Sequence, residues 1–174
     1  IGNSTISTNT ATSGSSAIFA SIPLFVYNST IAFNAAAGNS AGLYLYVGAV
    51  ANIESTILSN NTSSTGVGYD LVARVAVNGN HDLIQNPGSP VPGDTLTGVD
   101  PQLEPLASNF SLNAPLTHAL APTSPAIDRG TNPRNFNYDE RGAFNARVVG
   151  ISADIGAYEW NGVDTDTIFE NGFD

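Results

Sequence analysis

Apolar and polar residues recur along the first half of the chain with a period of about 25 residues. The phrase NSTISTN at residues 3 to 9 returns as NSTIAFN at residues 28 to 34 and as ESTILSN at residues 54 to 60. The isoleucines that align these phrases and a later segment follow one another at nearly constant intervals: Ile6, Ile31, Ile57 and Ile84. Between the phrases, as in residues 43 to 47, side chains alternate in the manner of short strands, and helical periodicity is missing.

A repeat of this length is typical of solenoids built from short strands. Equivalent positions on successive coils would stack about 4.8 Å apart, so we expect the four isoleucines to fill one interior column. Asn9, Asn34 and Asn60 suit the corners, because Asn tolerates left-handed backbone and stacked Asn side chains can form a hydrogen-bonded ladder. The sequence therefore predicts an all-β fold, a parallel β-helix of about three to four coils with roughly 25 residues each.

Composition and charge exclude several classes of partner. The chain has 174 residues, of which 41% are hydrophobic and only 11% are charged, so it can bury a core of its own. Fifteen acidic residues against five basic ones give a net charge of -10, which disfavours nucleic acid and anionic membrane surfaces as partners. The absence of Cys excludes disulfides and thiolate metal sites, and no apolar run approaches the roughly 20 residues of a membrane helix.

The second half of the chain carries four more specific phrases after a Pro/Gly-rich stretch at residues 86 to 98. They are VDPQLEPL, LTHALAPTSPAIDRG, YDERGAFNAR and ADIGAYE, between residues 99 and 159. In order and spacing they resemble the C-terminal region of bacterial choice-of-anchor Q domain proteins, within the right-handed parallel β-helix superfamily that includes pectate lyases. The resemblance implies a right-handed β-helix that is secreted or attached to the cell surface, usually without an assigned activity. The stretch SNFSLNAPLTH departs from the Gly-rich turn expected before the Thr-His phrase.

These features divide the chain into three parts. We assign residues 1–98 to the coils and the Pro/Gly-rich loop, residues 99–160 to an irregular C-terminal cap, and residues 161–174 to a tail. The tail phrase DTDTIFENGFD is similar to a short ending of some exported proteins of Gram-negative bacteria. Because Ile1 begins just before a copy of the repeated phrase, we expect upstream coils to be missing. We also expect the open first coil to self-associate, most simply as a two-fold dimer.

Carboxylates and arginines are densest in the predicted cap region. The residues that we single out are Asp128, Asp139, Arg141, Asp154 and Glu159. Two of these carboxylates would suit an acid/base pair for sugar hydrolysis. The alternative, which we favour, is that they pair with arginines and backbone groups and lock the C-terminal segment against the last coil as a structural cap. In that case Arg141 should contact at least one of Asp128, Asp139 or Asp154.

Other candidate catalytic residues lack the context that their chemistry needs. Ser40 lies in GNSAG, which matches the Gly-x-Ser-x-Gly pattern, but a nucleophile elbow requires a strand before the serine and a helix after it. His81 and His118 are isolated, so we expect structural roles for both. The DTD stretch at residues 164 to 166 is not continued as a calcium loop. We therefore predict no catalytic residue, no metal site and no cofactor.

Two tyrosines are the candidates for ligand binding. If Leu43 and Leu45 point inward, Tyr44 and Tyr46 point outward, where they can stack against sugar rings, unless the C-terminal region covers them. We expect a structural, adhesive or carbohydrate-binding scaffold whose partner is an extracellular polysaccharide. The alternative is a polysaccharide lyase or glycoside hydrolase with its active site in missing N-terminal coils, because the present coils offer Arg74 as their one cation.

Overall fold

The computed structural model describes residues 1–14, 17–64, 67–109 and 115–162. Within these ranges the fold is all-β and contains no helix, and therefore no helix that could cross a membrane. The tail assigned to residues 161–174 falls almost entirely outside them, and the division into domains stays a prediction. The strands are Thr5–Ser7 (β1), Thr10–Ala11 (β2), Ile18–Ala20 (β3), Leu24–Tyr27 (β4), Thr30–Ala32 (β5), Ala35–Ala36 (β6), Ser40–Leu45 (β7), Ala51–Glu54 (β8), Ile57–Ser59 (β9), Thr62–Ser63 (β10), Tyr69–Ala73 (β11), Val77–Asn78 (β12), Leu83–Ile84 (β13) and Leu96–Thr97 (β14).

The strands form four parallel sheets. One sheet has five strands in the order β1-β5-β9-β13-β14, and the other three have three strands each, β10-β6-β2, β11-β7-β3 and β12-β8-β4. Apart from the β13–β14 pair, each strand pairs with the one four elements away in the chain. Parallel neighbours cannot be joined by a tight hairpin, so the chain visits the other three sheets before it returns.

The register of the five-stranded sheet corrects the predicted isoleucine column. Ile6 pairs with Ile31, as expected, but Ile31 pairs with Leu58, which in turn pairs with Ile84. Ile57 lies one position earlier and pairs with Thr30. In the structure, the step from the second repeat to the third is one residue longer than the alignment of NSTIAFN with ESTILSN implies. The third phrase is therefore shifted by one position relative to its best match in sequence.

Backbone conformation confirms this shift at the corners. Asn3, Asn28 and Ser55 have positive φ angles of 52°, 42° and 54°, and they occupy equivalent positions just before β1, β5 and β9. Asn suits such a position because its short polar side chain tolerates the left-handed region. Ser55, and not Glu54, is thus the residue that begins the third copy of the phrase.

The interior is filled by residues of three of the four sheets, and the β10-β6-β2 sheet contributes none to the interior cluster described below. Leu43 and Leu45 are fully buried, whereas Tyr44 is half-buried and Tyr46 is exposed, so the predicted inward and outward assignment of this strand is confirmed. Ten buried apolar residues form the interior cluster: Ala20, Val26, Ile31, Leu43, Leu45, Ala51, Ile53, Leu58, Leu71 and Ile84.

The Pro/Gly-rich segment closes the last repeat. Pro87 forms a parallel bridge with Leu71, and the Ser89 hydroxyl accepts the backbone N–H of Ala73 at 2.9 Å. Val91 packs against the interior cluster, and β14 then adds the last strand to the five-stranded sheet. Residues 86–98 therefore cover backbone and apolar surface that would otherwise be open at this end.

The described residues between 99 and 160, which are 99–109 and 115–160, include a segment that lies against the outer face of the five-stranded sheet. Ile57 and Leu83 point outward and form a second apolar cluster with Leu120, Ile155 and Tyr158, among others. Further along the same face, the Glu140 carboxylate accepts the backbone N–H of β1 residue Thr5 at 2.8 Å. The sheet is thus covered on both faces. The cover includes the last coil, because Leu83 belongs to the second cluster and Leu96 packs against it, and it extends beyond the last coil as far as β1.

Candidate functional site

The predicted tyrosines belong to a larger outward-facing group, which we call the aromatic cluster (Phe19, Tyr44 and Tyr46). Phe19 of β3 is directly paired with Tyr44 of β7, and their rings are 5.7 Å apart between centroids and within 6° of parallel. Tyr46 completes the group, with centroids 5.9 Å from Phe19 and 6.4 Å from Tyr44. Phe19 is 59% exposed and Tyr46 is 48% exposed, so the cluster forms a contiguous apolar surface.

Arg74 supplies polar groups beside the aromatic cluster. It directly follows β11, and its Nε donates a hydrogen bond to the Tyr44 hydroxyl at 3.2 Å. Val72 of β11 pairs with Tyr44, so the row across this sheet reads Phe19, Tyr44 and Val72. None of these residues carries a negative charge, in contrast to the chain as a whole.

A second pair of aromatic residues lies on the neighbouring sheet. Phe25 and Tyr27 of β4 stack with centroids 6.5 Å apart, and the guanidinium of Arg134 lies 5.2 Å from the Tyr27 ring centroid. They border a cleft of about 560 Å³, which Ile1, Gly2 and Phe136 also line. Sequence reasoning did not single out this pair.

The asparagine ladder is present but runs through Asn61 instead of Asn60. Oδ1 of Asn34 accepts both the backbone N–H and the side-chain amide of Asn9. Oδ1 of Asn61 likewise accepts the backbone N–H and the side-chain amide of Asn34, at 3.0 and 2.9 Å. The ladder ends on the Asp70 carboxylate, which accepts the Asn61 amide at 2.7 Å. Burial raises the pKa of Asp70. Asn34, Asn61 and Asp70 are buried, whereas Asn9 is exposed, and the ladder links successive repeats.

The predicted cap residues form a buried ionic cluster (Asp139, Arg141, Arg147, Asp154 and Glu159). The Arg141 guanidinium donates twice to Asp139, at 2.9 and 2.7 Å, which confirms the expected contact. Arg147, which we had not singled out, donates to Glu159 at 3.0 Å. Asp128 lies at the edge of the cluster, where its backbone N–H donates a hydrogen bond to the Asp154 carboxylate at 2.7 Å. The structural role of this set stays a prediction.

Electrostatics within the ionic cluster are governed by burial. Desolvation raises the pKa of Glu159 to about 7, although its carboxylate accepts the backbone N–H of Asp154 and Val149 as well as Arg147. Desolvation also raises the pKa of Asp154 and lowers the pKa of Arg147. These carboxylates face backbone donors and arginines in the interior instead of flanking an open cleft, so the geometry favours a lock over an acid/base pair.

One contact that sequence reasoning missed joins Ser7 to His118. The two are 111 residues apart, and His118 Nε2 lies 2.7 Å from the Ser7 hydroxyl. His118 Nδ1 is 2.7 Å from the Glu104 carbonyl, which only accepts, so Nδ1 carries the proton and Nε2 accepts from Ser7. Burial lowers the pKa of His118, which favours its neutral form. Although a serine and a base are aligned, His118 is only 3% exposed and Phe33 packs on its ring at 4.8 Å.

The remaining sequence candidates take structural positions. Ser40 is buried and donates to the Leu43 carbonyl at 3.0 Å, so its hydroxyl does not face solvent as a nucleophile elbow requires. His81 lies 3.6 Å from Asp94 in an exposed pair. In the part of the chain that the structure describes, no group of three or more His, Asp or Glu side chains could hold a metal ion.

The chain matches no family model, no curated protein and no solved structure.

Proposed function

We propose that this chain forms a right-handed parallel β-helix and serves as a structural, adhesive or carbohydrate-binding scaffold of a secreted or surface-attached bacterial protein. The observation that supports this proposal most directly is the pairing register of the strands. Strands four elements apart pair in parallel in all four sheets, in steps of nearly constant length, as in Phe19 with Tyr44 and Leu24 with Ala51. Stacking of this kind buries a continuous core and leaves long outer faces free for display.

The resemblance to choice-of-anchor Q domain proteins supports this proposal through the positions of the resembling phrases. The phrase YDERGAFNAR supplies Asp139, Arg141 and Arg147 to the ionic cluster, and ADIGAYE supplies Asp154 and Glu159. These residues are buried, and Gly156 and Ala157 of ADIGAYE donate their backbone N–H groups to Ser55 and Thr30 at the five-stranded sheet. These contacts support a role of both phrases in holding the chain between residues 115 and 160 in place.

Display on the outer faces supports an adhesive role over an enzymatic one. The aromatic cluster is exposed, whereas the paired carboxylates lie in the interior. Binding of an extracellular polysaccharide without turnover is the use that this arrangement fits, because the ionisable groups that would do chemistry are already engaged with one another.

Cell-surface labelling tests the proposed location and role. Antibodies raised against the purified chain should label intact cells of the producing bacterium or detect the protein in the medium. Labelling only after permeabilisation, with a cytosolic protein as control, would contradict the proposal. A parallel assay with pectate and neutral polysaccharides, with and without calcium, should show no product release by the purified chain.

Self-association is part of the same proposal. In the described part of the chain, β1, β2 and β3 are edge strands of their sheets. Edge strands present unpaired backbone groups, although the backbone N–H of Thr5 in β1 already donates a hydrogen bond to the Glu140 carboxylate. Edge-to-edge pairing between two copies would cover the remaining groups.

A further inference from the structure

We propose that the aromatic cluster and Arg74 together form a binding site for a neutral polysaccharide, an inference that rests on the scaffold function proposed above. A sugar ring has an apolar face of C–H groups and an equatorial rim of hydroxyls, so its binding site needs an aromatic surface bordered by hydrogen-bonding groups. The aromatic cluster and Arg74 supply both.

The apolar part of the site is compact and well supported. The three ring centroids form a triangle with sides of 5.7, 5.9 and 6.4 Å, and the rings are within 31° of parallel. Tyr44 lies on the central strand of its sheet, between the fully buried Leu43 and Leu45. The rings are therefore carried on a rigid element and are already packed against one another, which limits the conformational entropy lost when a ligand binds.

The polar part of the site lies at the Tyr44 hydroxyl. Because this hydroxyl accepts a hydrogen bond from Arg74 Nε, its own proton is available for a ligand oxygen. Within the described residues, the terminal nitrogens of Arg74 make no hydrogen bond, and they can donate to sugar hydroxyls.

Charge selects a neutral glycan over a polyanionic one. The chain carries a net charge of -10, so a polyuronate approaching any of its faces meets overall repulsion. Arg74 is a single cation beside the site, which suits hydrogen bonding to hydroxyls but does not provide the row of cations that a polyanion requires. Stacking against aromatic rings contributes binding energy that does not depend on ligand charge.

Affinity gel electrophoresis tests the site with matched variants. The purified chain is run in gels that contain hydroxyethylcellulose, soluble starch or polygalacturonate. Phe19→Ala and Tyr46→Ala remove exposed rings of the cluster, and Phe144→Ala is the control because Phe144 is a 91% exposed aromatic residue outside it. Circular dichroism and melting curves confirm that each variant is folded.

The expected result is retardation of the unmodified chain and of Phe144→Ala by at least one neutral polysaccharide. Each of Phe19→Ala and Tyr46→Ala should weaken this binding roughly tenfold, and added salt should have little effect. Equal retardation of all four proteins would overturn the site. Retardation by polygalacturonate alone, or by none of the gels, would overturn the ligand class.

Light scattering tests the alternative that a second copy of the chain, and not a glycan, binds the aromatic cluster. If the aromatic cluster joined two copies of the chain, the mass would rise with concentration and Tyr46→Ala would abolish the rise, whereas pairing through the edge strands β1, β2 and β3 would leave the rise unchanged. Loss of the rise in Tyr46→Ala would also overturn the glycan site. None of these outcomes bears on cell-surface labelling, so the scaffold proposal can stand or fail independently.

Discussion

The asparagine ladder offers a sharp test of the register, because two adjacent asparagines should respond very differently to the same change. Alignment of the repeated phrase places Asn60 in the ladder, whereas the structure places Asn61 there. We predict that Asn61→Ala is strongly destabilising and that Asn60→Ala is mild.

The magnitude follows from the bonds that each side chain makes. The Asn61 side chain makes four hydrogen bonds in the interior, to the Asn34 N–H and amide, the Ile31 carbonyl and the Asp70 carboxylate. Its removal leaves the buried Asn34 N–H without this partner and weakens the other three groups, for a total of about 3 to 5 kcal/mol. Asn60 donates one long bond of 3.3 Å to Ser59, and Ala at its φ of 57° costs about 1 kcal/mol.

Urea unfolding followed by circular dichroism measures both variants against the unmodified chain. The urea midpoint of Asn61→Ala should be much lower than that of Asn60→Ala, with similar slopes. Equal losses, or a larger loss for Asn60→Ala, would refute the lengthened step between the second and third repeats and the ladder built on it.

Three further predictions concern the ionic cluster, a corner glycine and the edge strands. The pKa of Glu159 is raised from 4.5 to about 7, so the folded state binds the proton of the Glu159 carboxyl more tightly than the unfolded state does. The stability that this protonation contributes is lost as pH rises from about 5 through 7. The melting temperature should therefore rise between pH 8 and pH 5, and Glu159→Gln should flatten this rise by an equivalent of about 3 kcal/mol; an unchanged pH profile would contradict the assignment. Gly79 has a φ of 121°, and a Cβ there would lie 1.6 Å from the Ile53 carbonyl oxygen, so Gly79→Ala should cost more than about 2 kcal/mol in urea unfolding, whereas Gly93→Ala, with open space around it, should be nearly neutral. Light scattering should show a mass that rises with concentration because β1, β2 and β3 are edge strands, and a monomer at every concentration would rule this out.

The period and the sidedness of the strands could be predicted from the sequence, but the register could not be predicted fully. Alternation around Tyr44 fixed which residues face inward, because one face of that sheet is buried and the other is open. The doublets Ile57–Leu58 and Asn60–Asn61 fit either of two registers that differ by one position. Only pairing with neighbouring strands decides between these registers, since a slip of one position exchanges the two faces.

Some features had a signal in the sequence that we did not use. Phe19 lies one full repeat before Tyr44, so the period itself predicts their pairing. The adjacent apolar residues Ile57–Leu58 and Leu83–Ile84 are typical of strands that are buried on both faces, which indicates a cover on the outer face of that sheet. By contrast, the contact between Ser7 and His118 follows no local pattern, because it depends on how a distant segment packs.

Parallel stacking of successive repeats at one strand spacing can be tested by disulfide cross-linking, because the chain contains no Cys. Phe25 pairs with Asn52, and Asn52 pairs with Asn78, on the outer side of one sheet. Oxidation should therefore cross-link Phe25→Cys with Asn52→Cys, and Asn52→Cys with Asn78→Cys, in two separate double variants. The double variant Phe25→Cys with Asn78→Cys spans two strand spacings, about 10 Å, and should not cross-link. Efficient cross-linking of this third pair, or failure of the first two, would contradict the stacked arrangement.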